Sequence, residues 1–449
     1  MANSATNEPA DLTSKNQPSM PGADMQLRGK RVAMVMFSHY PADPRPRRAV
    51  DALVNEGMQV DLVCLADGNA STREILNGIE VLRIPLKRRR GGKLAYVYQY
   101  SAFILISFLI FAWRAFTRGY DLVYVHNMPD ILVLSGLVPK MLGAKVILDQ
   151  HDPMPELMTT IFGLDEKSAS VRLIRLLEKW SITFADALVT VNIACKRIFS
   201  SRSCQPEKIE VVMNSPDENI FRFRSAETKP AEGQGGNKPF VIMYHGSLVE
   251  RNGLDLAVEA LALVHETLPH AELRVYGPTS SFLERVLEMA RSKGVDKAVQ
   301  YLGPKRLEEL VHEIAACDVG VIPNQKNSFT AINTPTRIFE YLSLGKPVIA
   351  PRTSGIQDYF SEDSLLFFEA GDAQDLAKAL QYAFLHPAPL REFARRGQEV
   401  YREHDWQREK LRLTGLVAKL LNKQRARVDL KREPGRSEQP LAQPSSELK

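Results

Sequence analysis

The side chains best suited to chemistry stand in a loop-to-helix segment late in the chain, NTPTRIFEYLSLGKPVIAP, from Asn333 to Pro351. Pro335 sits where a short helix should begin and Gly345 where it should end, ahead of an apolar strand. The unpaired N–H groups that open such a helix suit a phosphate. Glu340 lies about one to two turns in. A carboxylate at that depth accepts hydrogen bonds from the two hydroxyls of a ribose, as acidic residues do in nucleotide sites. Spacing alone leaves open that Glu340 is a solvated helix residue. Other chemistries lack their signatures. Cys64, Cys195, Cys204 and Cys317 form no C-x-x-C pair, and no histidine cluster has zinc-ligand spacing. There is no D-x-D at a strand end, P-loop, G-x-S-x-G or paired-carboxylate signature. No metal site and no cofactor are expected.

A ligand segment of this kind needs a scaffold that gathers loops at one edge. Short apolar runs supply it. RVAMVMF, QVDLVCL, IEVLRIP, DLVYVHN, AKVILDQ and DALVTVN alternate with helix-length segments, which predicts a parallel sheet covered on both faces. The alternation stops at the Gly- and Pro-rich stretch 229–239 and restarts with FVIMYHG, AELRVYG, VQYLG, DVGVIP and KPVIAP. The fold class is therefore α/β: two doubly wound, Rossmann-like domains whose carboxyl-end crevices face each other across a cleft. The boundaries are a polar tail over 1–28, a first domain over 29–228, a linker or exposed loop over 229–239 and a second domain over 240–404. A helix at about 405–423 crosses back to the first domain, and a second polar tail covers 424–449.

With 449 residues, 44% hydrophobic and 25% charged, the chain fits a folded soluble protein of two or three domains and excludes collagen-like, coiled-coil and wholly disordered classes. A formal charge of only +5 argues against nucleic acid as a general partner. No disulfide framework and no apolar N-terminal run point to a cytoplasmic protein.

One stretch complicates that location. Tyr96–Trp113, YVYQYSAFILISFLIFAW, has no charge and follows the basic cluster Lys87, Arg88, Arg89, Arg90 and Lys93. It reads either as a buried helix covering the sheet or as a peripheral dock on an anionic leaflet. A span is disfavoured, because the runs before and after it should belong to one sheet.

The segment Asn333–Pro351 resembles the nucleotide-sugar-binding signature of glycosyltransferase family 4, retaining enzymes of the GT-B fold. Other pieces agree in order: Phe37–Val63, Leu148–Leu157, Val211–Phe221, Tyr244–Leu261 and the segment VQYLGPKRLEEL. The resemblance covers nearly everything between the tails. It implies that His151, after AKVILDQ, sits beside the transferred sugar and orients a hydroxyl, with Asp152 orienting its ring or capping a helix. It implies donor binding by Gly246, Ser247, Arg251, Asn333, Thr334, Arg337 and Glu340. Gly246 lets the backbone approach the diphosphate, and Arg251 matches phosphate geometry with its planar fork. Arg337 reaches the diphosphate or the other domain. Asp43, Arg45 and Arg48 follow the first strand and face the cleft, where they touch acceptor or diphosphate; Arg48 alternatively lies on the exposed face of its helix.

Two departures from the pattern stand out. The family's first acid of a seven-residue pair would fall at Ile332, with the backbone N–H of Asn333 or Thr334 as its replacement. The family's Arg and Lys after the first strand of the second domain fall at Ser247 and Asn252, with Arg251 as the substitute. The resemblance thus implies a metal-independent transferase. It would move a sugar from a nucleoside diphosphate sugar to a hydroxyl of a growing, lipid-linked glycan, as in exopolysaccharide or lipopolysaccharide assembly. The rivals are a GT-B UDP-sugar epimerase and a non-catalytic, membrane-associated scaffold with a degenerate donor site.

Overall fold

The computed structural model describes residues 27–68, 71–86, 93–226 and 238–432. The basic cluster from Lys87 to Arg90, most of the 229–239 stretch and the outer parts of both tails lie outside them.

The first sheet runs through β1 (Arg31–His39), β2 (Gln59–Leu65), β3 (Arg73–Leu76), β4 (Ile79–Ile84), β5 (Leu122–His126), β6 (Lys145–Gln150), β7 (Ala187–Thr190) and β8 (Ile209–Val211). Its order is β3-β4-β2-β1-β5-β6-β7-β8, parallel except for the hairpin partner β3. All five residues of β5, LVYVH, are buried, as a strand covered on both faces requires. β1 lies between β2 and β5, so the connections diverge there and open a crevice at its carboxyl end. The second sheet holds β9 (Phe240–His245), β10 (Ala271–Tyr276), β11 (Val299–Tyr301), β12 (Val319–Val321), β13 (Val348–Pro351) and β14 (Leu366–Phe368). The order β11-β10-β9-β12-β13-β14 puts its switch point at the end of β9.

Helices cover each face of the first sheet. On one face α1 (Pro44–Asn55) contributes Ala49, Val50 and Leu53 to a core shared with Leu413, Val417 and Leu421. Those three leucine and valine side chains belong to the long helix that starts at Trp406 and runs to Arg432, beyond the expected end near 423. Glu409 on that helix is fully buried and accepts from the Met213 N–H at 2.8 Å. On the other face α2 (Lys93–Thr117) packs Phe103 and Phe111 into a second core layer. Beside it in that layer are Leu132 and Val133 of the 3-10 helix Asp130–Gly136, with Ile182 and Phe199 further along.

The uncharged stretch is thus a helix, but a buried helix describes only one of its faces. Tyr98, Leu105, Leu109, Trp113 and Phe116 recur every three to seven residues and are exposed. The side turned to the protein carries Gln99, Ser107 and Arg114, all buried. Arg114 anchors the helix end to Asp61 of β2 at 3.0 Å and Glu80 of β4 at 2.6 Å. The helix is long and apolar enough to cross a membrane. However, β4 before it and β5 after it lie in the same sheet, which holds both of its ends on one side.

Two helices frame the interdomain edge, α3 (Met154–Phe162) and α5 (Ile193–Arg202), with α4 (Ala169–Phe184) between them in the chain. In the second domain α6 (Leu254–Val264) follows β9, and α7 (Thr336–Ser343) precedes β13. Thr160 of α3 donates to Asn327 Oδ1 at 3.2 Å, Arg197 of α5 pairs with Asp358 at 2.7 Å, and the Ile193 N–H donates to the Tyr359 hydroxyl at 2.9 Å. The carboxyl-end loops of the two sheets therefore meet.

Candidate active site

On the first domain, β6 delivers Asp149 and, one residue past its end, His151. Asp149 is buried inside a ring of donors. Arg45 reaches Oδ1 through Nη2 at 2.7 Å and Nε at 3.2 Å, and the Tyr124 hydroxyl donates to Oδ2 at 2.9 Å. His126 Nδ1 is 3.4 Å from Oδ2, and His151 Nε2 is 3.7 Å from Oδ1. Burial alone would raise the Asp149 pKa, but Arg45 and the two histidines outweigh it and hold the carboxyl well below the usual range. Burial lowers the His126 pKa against the pull of Asp149 and favours the neutral ring. His126 Nδ1 and His151 Nε2 are 3.1 Å apart, so the two rings share one proton in that contact.

The backbone around His151 is held as firmly. Asn127 Oδ1 accepts from the His151 N–H at 2.9 Å, and Asn127 Nδ2 donates to Asp152 O at 3.0 Å and Asp130 Oδ1 at 3.1 Å. A cavity of about 180 Å³ opens above, lined by His151, Asp152, Asp43, His126, Asn127 and Tyr100 among others. His151, Asp152 and Asp43 are thus brought together. The ring of His151 is oriented by Asp149 and His126, not by Asp152. Asp152 is not a helix cap either, since Pro153 holds that position on α3. Burial raises the Asp152 pKa, opposed by His151 and by Arg251 from the other domain.

Arg45 and Arg48 do not line the cleft. Both are buried on the inner face of α1. Arg45 is bound to Asp149 and to Val212 O at 3.0 Å. Arg48 donates to Ser215 O and Asn214 Oδ1 and lies 5.4 Å from the ring centre of Trp406. Burial and the charge of Arg45 push the Arg48 pKa down to about 10, with Asp217 and Glu340 opposing. The physical reason is helical spacing. Arg45 precedes Ala49 by four residues and Arg48 precedes Ala52 by four, so both share the apolar face.

On the second domain, Glu340 sits on α7 with its Oε2 at 2.6 Å from Nε2 of His245, the last residue of β9. The other nitrogen, Nδ1, is 2.8 Å from the Tyr341 hydroxyl, which donates to Met243 O at 2.8 Å. A hydroxyl has one proton, so with its donation made it accepts from a protonated Nδ1. One more proton must lie between Nε2 and Oε2. Whichever of the two holds it, the His245–Glu340 pair has no net charge and leaves Oε1 as the open acceptor. Arg337 donates to His245 O at 2.8 Å and Asn324 Oδ1 at 3.1 Å and lies over the Tyr244 ring. Its hydrogen bonds stay within the second domain rather than reaching the first. Gly246 has φ +121°, and a Cβ there would come within 3.3 Å of Arg337 Cδ.

Arg251 stands apart from this cluster. The loop carrying it is fixed by Ser247 O, which accepts from Tyr244 and Asn252, and by the Gln325 N–H bonded to Arg251 O at 3.0 Å. Gly253, with φ +68°, closes the loop against Pro323 O, where a Cβ would sit at 1.8 Å. The Ser247 side chain is exposed. Arg251 lines a cavity of about 640 Å³ with Thr159, Thr160, Asp255, Arg285 and Asn327. There Arg285 pairs with Glu250, and Asp255 accepts from Gln325 at 3.0 Å. Arg251 is left, among the described residues, as the cation of that cavity without an ion-pair partner. Glu340 lines neither cavity.

The loop that should replace the missing acid is an interdomain contact. Ile332 packs against the first domain's core, and its carbonyl accepts from Asn192 Nδ2 at 2.8 Å. Thr334 Oγ1 accepts from the same amide at 3.1 Å and donates to Gly355 O at 2.6 Å. The Asn333 N–H is directed to Thr330 O at 3.4 Å.

His126, Asp149 and His151 place their ligand atoms within 4.8 Å of one another. The charge of Arg45 beside Asp149 opposes a cation there, and both Asp149 oxygens already accept hydrogen bonds. The cluster fits a proton-sharing group better than a metal centre. Sequence reasoning missed His245, Asp149 and Asn127. The signal was available in part: each is a polar residue at, or one residue from, the carboxyl end of an apolar strand.

Comparison with known proteins agrees with this arrangement. Residues 42–215 match the family described as glycosyl transferase 4-like domain, and residues 239–385 match glycosyl transferases group 1. The chain is 29% identical over 286 residues to a D-inositol 3-phosphate glycosyltransferase of Corynebacterium urealyticum, covering 59% of this chain and 64% of that protein. It is 25% identical over 300 residues to the sulfoquinovosyl transferase SQD2 of Arabidopsis thaliana, covering 64% of this chain and 54% of that one. These matches span less than two thirds of either relative's length. Among solved structures, sucrose-phosphate synthase from Thermosynechococcus elongatus superposes with TM-score 0.70 at 18% identity, covering 88% of this chain and 100% of that one. Anabaena HepE in complex with UDP-glucose superposes with TM-score 0.65 at 16% identity, covering 87% and 99%. With both halves matched in order and both sheets in place, the chain belongs to the group 1 glycosyltransferases, family 4, of the GT-B fold.

Proposed function

We propose that the protein moves a glycosyl group from a nucleoside diphosphate sugar to a hydroxyl of a lipid-linked glycan, with retention at the anomeric carbon, on the cytoplasmic face of a membrane. The observation that carries the donor assignment is the uncharged His245–Glu340 pair at the end of the middle strand β9, with one carboxylate oxygen open. Family membership and the UDP-glucose held by the Anabaena protein support the donor class. In this reading Glu340 Oε1 takes a ribose hydroxyl, and Arg251 with the Gly246 backbone meets the diphosphate.

By family analogy, the bond from the anomeric carbon to the phosphate oxygen breaks while the acceptor oxygen bonds on the same face. The acceptor's proton passes to the departing phosphate oxygen. Negative charge grows on the diphosphate, which a fixed guanidinium stabilises. His151, oriented by Asp149 and His126, positions a hydroxyl of the transferred sugar. The exposed apolar stripe of α2, behind the basic cluster Lys87–Lys93, favours a lipid-linked acceptor over a soluble one and supports a role in exopolysaccharide or lipopolysaccharide assembly.

Calorimetry tests the donor site. A hydrogen bond contributes about 0.5–1.5 kcal/mol, and about 1.5–3 kcal/mol where the group is charged, so Glu340→Ala should weaken nucleoside and nucleoside diphosphate alike by roughly three- to a hundredfold. Arg251→Ala should weaken the diphosphate and leave the nucleoside nearly unaffected. If both variants bind both ligands like wild type, the donor assignment is wrong. A wild-type protein that binds no nucleotide sugar is a scaffold. One that returns an epimerised donor without free nucleoside diphosphate is an epimerase.

A further inference from the structure

We infer that α4, far from α2 in sequence, is a second lipid-contact helix, so that the first domain docks on an anionic bilayer surface through two helices rather than one. The inference rests on the lipid-side reading of α2 and extends it to residues that reading did not include. Leu173, Leu176, Leu177 and Trp180 of α4 are exposed, Leu176 at 62% and Trp180 at 43%. At 3.6 residues per turn they fall on one stripe roughly 100° wide. Arg172 and Lys179 are exposed along the flank of that stripe, and Arg175 between them pairs with Glu166 at 4.0 Å. The helix has a single acid, Glu178, and it is fully buried, bonded to Arg202 and Ser203 of the protein interior. An apolar stripe with a cationic flank and its acid turned inward is the pattern of a helix lying in a membrane interface.

α2 has the complementary peculiarity: Gln99, Ser107 and Arg114 face the protein, while Leu105, Leu109 and Trp113 face outward, as does Ser101. Both helices pack on the same face of the first sheet and both contact the 3-10 helix Asp130–Gly136. Their exposed stripes therefore belong to one side of the domain, each with a tryptophan suited to the headgroup level. Charge selects the occupant. A second copy of this chain would oppose the cationic flank of α4 to itself, and like charges repel. An anionic leaflet complements the flank of α4 and the cluster Lys87–Lys93 that precedes α2.

The test is co-sedimentation of the full chain with phosphatidylcholine vesicles, with and without phosphatidylglycerol, at low and high salt. Four forms are compared: wild type, an α4 form (Arg172→Gln, Lys179→Gln), the same form with Leu176→Ser and Trp180→Ser added, and an α2 form (Leu105→Ser, Leu109→Ser). All these side chains are exposed, and unchanged nucleoside diphosphate affinity checks that each form is folded. Wild type should bind only the anionic vesicles and come off in salt. Removing charge near the surface should weaken binding roughly fivefold per charge, so the α4 form should bind roughly 25-fold more weakly. Adding Leu176→Ser and Trp180→Ser should weaken binding further, to what α2 alone supports. If the α4 forms bind like wild type while the α2 form fails, the footprint is α2 alone and this inference is overturned. If wild type stays in the supernatant, the lipid reading of α2 falls with it. If lipid-free wild type sediments as a dimer that the α4 substitutions dissociate, the occupant is a second copy and the inference is likewise overturned.

Discussion

The two halves of the candidate site are built on opposite plans. On the first domain the chemistry rests on Asp149, a carboxylate with no exposure to spare, whose oxygens accept from Arg45 and Tyr124 and whose neighbours include two histidines. On the second domain Glu340 is half-buried, bonded at one oxygen to His245 and open at the other. One half is closed on itself and presents only the edge of His151; the other keeps free hydrogen-bonding capacity for a ligand. Substitution should therefore act through the fold on the first side and through affinity on the second.

The largest effect should come from Asp149→Ala. It strands Arg45 in the interior without a counter-charge, and breaking a buried pair at one partner costs about 3–5 kcal/mol. Denaturant unfolding should register a loss of that size. Glu340→Ala should leave the unfolding midpoint almost unchanged, because the partner it releases, His245, keeps its bond to the Tyr341 hydroxyl. Equal losses in the two variants would erase the contrast.

Next in size is His151→Ala. Its ring is supported from below and faces the 180 Å³ cavity. Turnover should fall by about tenfold or more, the effect of losing one hydrogen bond of about 1.4 kcal/mol to the transferred sugar in the transition state. Nucleoside diphosphate affinity should hardly move, since that ligand's proposed contacts are on the other domain. A variant with full activity would make His151 a structural residue.

His245→Phe sharpens the other side. It keeps a ring in the same buried place but removes the bond to Glu340 and the proton shared with it. Glu340 then faces the ligand without its anchor on β9. Nucleoside affinity should drop by roughly threefold to tenfold, since a positioning bond is worth about 1 kcal/mol. The His245→Gln variant, which can still donate to Glu340, should recover part of the loss. Equal affinity in both variants would mean that Glu340 needs no support from β9.

Much of this architecture was legible in the sequence, and the limits have physical causes. The two sheets follow from alternation, because a strand covered on both faces must be apolar throughout. The Glu340 segment follows from helix punctuation. Arg45 and Arg48 are misplaced by a reading that turns Arg45 to the cleft and Arg48 to the cleft or the exposed face of its helix, although their four-residue spacing to Ala49 and Ala52 puts them on the inner face of α1. His245 was invisible because its role depends on Tyr341 and Glu340 of another element, a contact that no local pattern encodes. The same holds for Asp149, whose partners come from α1, β5 and its own strand's end. α2 shows the reverse problem: an uncharged run has no period to reveal which side is buried, and only the places of Gln99, Ser107 and Arg114 mark it.

The smallest effect is a pH effect behind the first half of the site. Asp130 is fully enclosed, and burial, with the charge of Glu178 adding to it, pushes its pKa up to about 7. It accepts from Asn127, which in turn holds the His151 N–H. A raised acid binds its proton more tightly in the folded state than in the unfolded chain, where it titrates near 3.8. Between those two values the folded protein therefore holds more protons, and stability attributable to Asp130 falls as pH rises from about 4 to about 7. Above that the loss is complete and flat. Asp130→Asn keeps an acceptor oxygen for Asn127 and cannot ionise. The variant should melt higher than wild type at pH 8 by a few degrees, on the order of 2–4 °C for each kcal/mol recovered. The gap should shrink toward pH 5. A gap that is constant with pH, or that widens toward acid, would show that Asp130 is already ionised in the folded protein and that Asn127 is held by a carboxylate.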